Sequence, residues 1–394
     1  DKCIGCGNCV RVCSQSAKQA ASSVEQVTSL LNGKRRVAAI LAPSFPAEFG
    51  DIDYRVLVGM LRAAGFDLVC EVAFGADLVA QQYRHLLAGN SGKRYISTTC
   101  PAIVHFVERY HPGLVPSLAP IVSPMVAMAR VLHEMHGPEL RIVFIGPCIA
   151  KKAEAISPCL PGDVDAALTY LELRQLLGLR DIFAEQTEPS QFDPPHAAAG
   201  GLFPISGGML QAASIREDLM TGEVVATEGR SHVIEAIQEF EAGDLGARLL
   251  EALCCDGCIM GVGINADIPL FHRRRRVREY VCDRMVRLDH EHWQREVERF
   301  GRLDLSRTFA VNDQRIPAPE ADKLTGIMQR MGKLRPEDEL NCGACGYETC
   351  REHAIAIYRG LAEHEMCLPY TIDQLRKTIA QLANTQEALM QSEK

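Results

Sequence analysis

The 16 cysteines of this 394-residue chain are clustered, and clustering is what makes them chemically interesting. Cys3, Cys6, Cys9 and Cys13 are spaced C-x2-C-x2-C-x3-C. At that spacing one loop wraps three corners of an iron–sulfur cube, and the intervening glycines allow close backbone approach. Cys342, Cys345, Cys350 and Cys367 form a second set, in which a helix from about Arg351 to Glu363 returns the last thiol to the loop. Four thiolates suit an iron–sulfur cluster or a structural zinc, and the ferredoxin-like spacing of the first set favours the cluster. A third set is scattered: Cys100 in YISTTCP, Cys148 in RIVFIGPC, and Cys254, Cys255 and Cys258 in one CCDGC loop. Each of these alone reads as a buried small apolar residue. Together they supply enough thiolates for one cubane.

Such convergence needs a scaffold. Apolar runs of strand length occur at Val37–Leu41, Leu68–Val72, Arg94–Ile96 and Ile142–Ile145, separated by helix-period segments such as Tyr54–Ala64 and Val122–Met135. This predicts an α/β fold with parallel strands and crossover helices. Ligands of such sheets sit beyond the carboxyl ends of the strands, where Cys100 and Cys148 fall. The stretch Leu245–Leu253, ahead of CCDGC, reads as helical.

The composition narrows the class. With 47% hydrophobic and 23% charged residues the chain is globular rather than disordered. A net charge of −8 gives no reason to expect a nucleic-acid partner. The longest uncharged stretch, between Tyr110 and Arg130, carries Pro112, Pro116, Pro120 and Pro124, so a membrane-spanning helix is not expected. Clustered cysteines in a long chain point to metal binding in a reducing, cytoplasmic compartment. The first residue is Asp, which reads as the start of a fragment.

The three scattered cysteine segments resemble the signature loops of [FeFe]-hydrogenases. The first is Ser97-Thr98-Thr99-Cys100-Pro101, and the second runs from Gly146-Pro147-Cys148 through Lys151 to Glu154. The third runs from Ala252-Leu253-Cys254 through Cys258 to Gly261. FGADLVA (Phe74–Ala80), ISGGMLQAA (Ile205–Ala213) and an AILAPSF strand after the ferredoxin motif agree. The resemblance implies a two-lobed core with parallel sheets holding an H-cluster. That cofactor is a [4Fe-4S] cubane joined through a cysteine sulfur to a diiron azadithiolate unit with CO and CN ligands. Cys100, Cys148, Cys254 and Cys258 would be the cubane ligands, Cys258 the bridging thiolate, and Lys151 the donor to a cyanide. Cys255 falls outside the ligand positions, where it packs or donates an S–H. The implied organisation is a ferredoxin-like [4Fe-4S] segment over 1–25 and the hydrogenase core over 36–265. A charged helical connector follows over 266–335, containing Pro317 and Pro319, then a small α-helical four-cysteine [4Fe-4S] domain over 336–370 and a coiled-coil signalling helix over 371–394. Cys13 can serve a further cluster whose other ligands precede Asp1.

Departures from the family bear on function. Thr99 stands where efficient enzymes carry a proton-relay cysteine, and an aliphatic hydroxyl does not ionise usefully near neutral pH. The relay glutamates upstream are also missing: between Glu71 and Glu108 the titratable carboxylate is Asp77 and the imidazoles are His85 and His105. Gly146 and Ala252 replace family methionines. These changes resemble the sensory branch of the family, with slow, reversible H2 oxidation and proton reduction. The expected partners are H2 and protons, a ferredoxin-like or other redox carrier, hydrogenase maturation proteins and a downstream signalling module. Ile372, Leu375, Ile379, Leu382, Gln386 and Leu389 follow heptad spacing, which predicts a homodimer through 371–394 or an amphipathic tail packed on its own domain. A metabolic ferredoxin-linked hydrogenase and a non-catalytic hydrogenase-like iron–sulfur protein are the alternative functions. Arg273–Arg276 with Arg278 reads as a solvated connector face or a docking site for an acidic carrier, and Cys70, Cys159 and Cys282 as packing residues, or one of them as the completing ligand of a cluster if no motif lies upstream.

Overall fold

Continuous apolar runs become strands buried on both faces, as parallel sheets require. The computed structural model describes residues 2–392 apart from 16, 90, 91, 266 and 316–318. Pro317 and the last two residues of the expected signalling helix therefore lie outside the described residues. The strands are β1 (Val37–Leu41), β2 (Leu68–Glu71), β3 (Tyr95–Ile96), β4 (Arg141–Gly146), β5 (Ala166–Thr169), β6 (Val224–Glu228) and β7 (Leu249–Leu253). They form two sheets, ordered β2-β1-β4-β5 and β3-β7-β6, in which every pairing is parallel. β1 is buried throughout, in register with Leu68–Glu71 on one side and Arg141–Ile145 on the other. The larger apolar core surrounds the first sheet and reaches one face of the second through Tyr95, Val224 and Leu249, while the smaller covers the other face through Ile96, Leu250 and Ala252.

Helices follow capping chemistry. The helix Tyr54–Ala63 starts at Asp53, whose side chain accepts from the Arg55 amide. The helix Pro101–Tyr110 starts with proline at its first position, directly after Cys100. The helix Tyr170–Leu179 carries a capping box between Thr169 and Glu172.

The stretch before CCDGC is not the expected helix. Leu249–Leu253 is β7, the central strand of its sheet, with Leu249 and Leu250 paired to both β3 and β6. Leucine, alanine and glutamate favour helix locally, and pairing on both sides overrides that weak preference. The arginine run also departs from a solvated face. Arg273 is buried in the helix Leu270–Val286 and donates to the carbonyls of Ile268 and Ile259 at 2.7 Å each, and to that of Asn265. Arg274 pairs with Glu228 and Arg276 with Asp51. Val277, Val281, Val297 and Phe300, from this helix and the helix His290–Phe300, join the larger core. Cys70 is a core residue, whereas Cys159 and Cys282 are exposed and do not pack.

The chain divides into two units, Asp1–Gln314 and Arg315–Lys394. The second has its own small core of Leu324, Ile327, Met328, Met331 and Ala354. Its helix Cys350–Tyr358 stops short of the expected Glu363, because Gly360 takes φ +68° just past the end, the usual terminator of a helix. The helix Leu368–Ser392 follows Cys367. Among the described residues no helix is long and apolar enough to cross a membrane.

Candidate functional site

The carboxyl ends of β1, β2, β3, β4 and β7 face one region, and the signature segments are the turns that leave them. Two cavities lie there. One is lined by Cys100, Cys148, Cys254, Cys255, Cys258 and Cys6, with Gly5, Ala102, Ile149 and Val262 among their neighbours. The other encloses about 530 Å³ of empty space, its mouth included, and is walled by Pro43, Val72, Met125, Phe144, Phe203 and Leu253. Cys148 and Cys258 line both. The polar side chains on the second wall, apart from those two thiols, are Ser44, Thr99 and Lys151.

Local backbone chemistry makes this convergence possible. In CCDGC, Gly257 has φ +73°, and a Cβ there would lie 2.8 Å from the Pro204 carbonyl oxygen. Gly7 has φ +74° and brings the N-terminal loop so close to Val262 that a Cβ would meet its side chain at 2.5 Å. The same loop is pinned from the helix that begins after Cys100: Tyr110 donates to the Lys2 carbonyl at 2.7 Å and Arg109 to the Cys3 carbonyl. Arg11 in turn donates to the Met260 carbonyl at 2.7 Å.

The electrostatics suit a cationic occupant. Burial pushes the Cys148 thiol up to about 11, with the Cys100 charge adding to it. Burial pushes Cys255 up to about 12, and it also pushes Cys258 well up, with Cys100 and Cys148 beside it adding to the rise. Cys254 is pushed up by its hydrogen bond with Cys6 and by burial, and the same bond pulls Cys6 down. Thiolate is the ligand form, so this many buried sulfurs become thiolates together only when positive iron stands among them. Among the described residues no three His, Cys, Asp or Glu side chains are close enough to hold a single metal ion. A tetrahedral zinc would need its sulfurs about 3.8 Å apart, given Zn–S near ~2.3 Å. A larger iron–sulfur cluster suits a cavity lined by this many thiols, and Cys148 and Cys258 would face both that cluster and whatever the adjoining apolar cavity holds.

Lys151 owes its position to Glu154 of its own signature segment and, through Glu154, to two residues the sequence gave no reason to join. Its ammonium donates to Glu154 at 2.6 Å, and the same carboxylate accepts from Ser123 at 3.0 Å and from Arg307 at 2.8 Å. Burial alone would raise the Glu154 carboxyl, but Lys151 and Arg307 outweigh it and hold the group below its ordinary value. Arg307 lies within the stretch expected to be a connector, and no motif marks it. Ser123 had one usable signal, its position just ahead of Pro124 at the start of the helix Pro124–His136.

Thr99 is half-buried on the wall of the apolar cavity. Asp77, His85 and His105 do not line this cavity. Asp77 accepts from the Ala198 and Gly200 amides and from Trp293. His85 is exposed, and His105 faces the Ile4 carbonyl at 3.4 Å.

Beneath CCDGC, Glu251 on β7 is buried and accepts from the Gly207 amide at 3.1 Å and the Met209 amide at 3.4 Å. Burial pushes it up to about 8, with Glu217 and Glu228 nearby adding to the rise. The native state thus keeps a proton that an unfolded Glu releases near pH ~4.3, so this contribution to stability is complete in acid and is lost as pH rises towards 8. We expect Glu251→Gln to flatten the fall in apo-protein stability over that window, read by urea unfolding followed through Trp293 fluorescence. An unchanged slope would contradict the assignment.

In the second unit, Cys342, Cys345, Cys350 and Cys367 line one cavity with Lys333, Tyr347 and His353. The Asn341 side chain accepts from the Cys350 amide at 2.8 Å, and Thr349 and Glu352 form a capping box that starts the helix there. Of the N-terminal cysteines, Cys3 and Cys9 are exposed, Cys13 is half-buried, and Cys6 alone reaches the thiol-lined cavity.

Comparison with known proteins agrees with this geometry. The family model for the iron-only hydrogenase large subunit, C-terminal domain, matches residues 35–262, and a model for an Fe-S cluster domain matches 338–369. The NADP-reducing hydrogenase subunit HndD of Solidesulfovibrio fructosivorans is 31% identical over 70% of this chain and 58% of its own length. The cytosolic Fe-S cluster assembly factor NAR1 of Yarrowia lipolytica is 26% identical over 46% of this chain and 43% of its own. The chain thus spans about half the length of these curated relatives. An [FeFe]-hydrogenase HydA1 variant of Chlamydomonas reinhardtii superposes with a TM-score of 0.60 at 19% identity, over 74% of this chain and 100% of that one, a likeness of fold. With a family match over more than half of its residues and the cysteines of three strand ends gathered at one site, this chain belongs to the [FeFe]-hydrogenase family and carries an added C-terminal Fe–S domain.

Proposed function

We propose that this protein is a sensory [FeFe]-hydrogenase. It binds and slowly, reversibly oxidises H2 at an H-cluster held by Cys100, Cys148, Cys254 and Cys258, and relays its redox state through [4Fe-4S] clusters to a downstream output. The observation that carries this reading is the pair of cavities sharing Cys148 and Cys258, one rich in thiols and one apolar. When bound, the diiron unit supplies the heterolytic cleavage of H2. The chain supplies the surroundings: Lys151, fixed by Glu154, presents a cationic donor to an anionic ligand in a pocket from which apolar walls exclude water. Thr99 offers a hydroxyl that passes a proton only by concerted exchange. That Asp77, His85 and His105 do not line the apolar cavity supports a slow rate, since general acid–base steps contribute ~10²–10⁴-fold. Cys6 at the cubane cavity supports electron exit through the N-terminal cluster, and a ferredoxin-like carrier in the cytoplasm is the proposed acceptor. Hydrogenase maturation proteins would build and insert the diiron unit.

Similarity to assembly factors favours a second reading, a non-catalytic iron–sulfur protein. Infrared spectroscopy of matured protein under H2 separates the two. CO and CN bands that respond to H2 are expected, and their absence would leave the second reading standing. We expect Thr99→Cys to raise H2 turnover only a few-fold, well below the full ~10²–10⁴ of a completed relay. A gain at the upper end of that range would show that the rest of the proton path is present and would remove the argument for a sensor.

A further inference from the structure

The helix Leu368–Ser392 begins one residue after Cys367 and has no buried residue along 25 positions. Propensity alone leaves isolated helices marginal in water, so a helix of this kind is stabilised by what it packs against. Its apolar side chains form a stripe. Leu368, Leu375, Leu382 and Leu389 recur at every seventh position, with Ile372 and Ile379 between them, and these six are 39–65% exposed. In heptad terms leucine fills every d position and isoleucine the first two a positions, the combination that selects two parallel strands. Gln386 fills the third a position. In a parallel, in-register pair the two Gln386 amides meet and bond each other, whereas an antiparallel pair sets each against an apolar layer. The flanks carry no repulsion: a parallel pair sets Thr371 of one helix opposite Arg376 of the other, Thr378 opposite Ala383, and Thr385 opposite Met390. On the outer face Asp373 and Lys377 pair at 2.7 Å.

We propose that two copies of this chain associate through a parallel two-stranded coiled coil over 368–392. The occupant of the stripe is a second copy, because the a, d, e and g residues complement themselves. With helix axes ~8–10 Å apart, both Cys342–Cys367 sites then lie at the same end of the coil. The pairing depends on the stripe and is independent of the sensory reading.

The test is light scattering on the 394-residue apo chain over a dilution series. The expected mass is twice the chain's 43.3 kDa. Leu375→Asp with Leu382→Asp should give monomer with unchanged Trp293 fluorescence, and Gln381→Asp on the outer face should leave the dimer intact. Leu389→Cys should cross-link two chains under mild oxidation beyond the wild-type background, since identical d positions meet only in the parallel register. A monomeric wild type, a dimer that survives the double aspartate, or a dimer without that cross-link would each overturn the proposal.

Discussion

Glu154→Ala should cost the apo protein about 3–5 kcal/mol, the usual penalty for removing one partner from a buried ion pair. Three donors converge on this carboxylate, and two of them, Lys151 and Arg307, are themselves buried cations. Alanine would leave both charges in the interior without a counter-ion, and Arg307 already has a buried Nε with no partner. The loss should be strongly non-additive. With Arg307→Met in the same chain, Glu154→Ala should cost less than in the wild type, because one stranded charge has gone. The sign with pH follows from the lowered carboxyl. Its contribution is present above the pKa of an unfolded glutamate and disappears as pH falls through the lower native value, so wild type should lose stability in acid and the alanine variant should not share that loss. Trp293 is the chain's only tryptophan and hydrogen-bonds to Asp77 at 3.0 Å, so its fluorescence in a urea titration reports the first unit. A single variant within ~1 kcal/mol of wild type would mean that the network is not holding these cations.

Residues in the signature segments were legible because their chemistry constrains them locally. Cys100 and Cys148 sit where a parallel strand ends, and both strands could be read from unbroken apolar runs. Cys258 was readable through its glycine-bearing loop. What stayed hidden depended on distant partners. β7 looks helical by composition and is a strand because β3 and β6 flank it, a fact no window around Leu249–Leu253 contains. β5 and β6 went unread for related reasons: Ala166–Thr169 is short, and Val224–Glu228 ends in charge and is mostly half-buried. Arg307 reaches Glu154 across 153 positions of sequence, and nothing in its neighbours distinguishes it from a surface arginine. Arg273 teaches the converse, since a run of four arginines suggested solvent while the first of them caps buried carbonyls. Charge patterning predicts exposure only where the backbone does not need the donor.

Replacing Cys148 by alanine is expected to remove a whole cluster, about four irons per chain after anaerobic reconstitution, whereas Cys255→Ala should remove none. The two thiols line the same cavity, so proximity does not separate them. Topology does. Cys148 follows β4 and is shared with the apolar cavity, so no other sulfur can take its corner without displacing that strand end. Cys255 is adjacent to Cys254 in the bend that follows β7, and burial holds its thiol protonated, so a cluster that takes Cys254 and Cys258 leaves Cys255 as a protonated neighbour. Its carbonyl accepts from the Gly229 and Gly257 amides and fixes the turn, a role that alanine keeps. Cys6→Ala separates the cubane from the N-terminal cluster. It should remove a comparable amount of iron on its own, and with Cys148→Ala the two losses should add, because each variant empties a different site. Equal iron loss from Cys255→Ala and Cys148→Ala would show that the cubane draws its ligands differently. Non-additive losses with Cys6→Ala would show that Cys6 serves the cubane and not a cluster of its own.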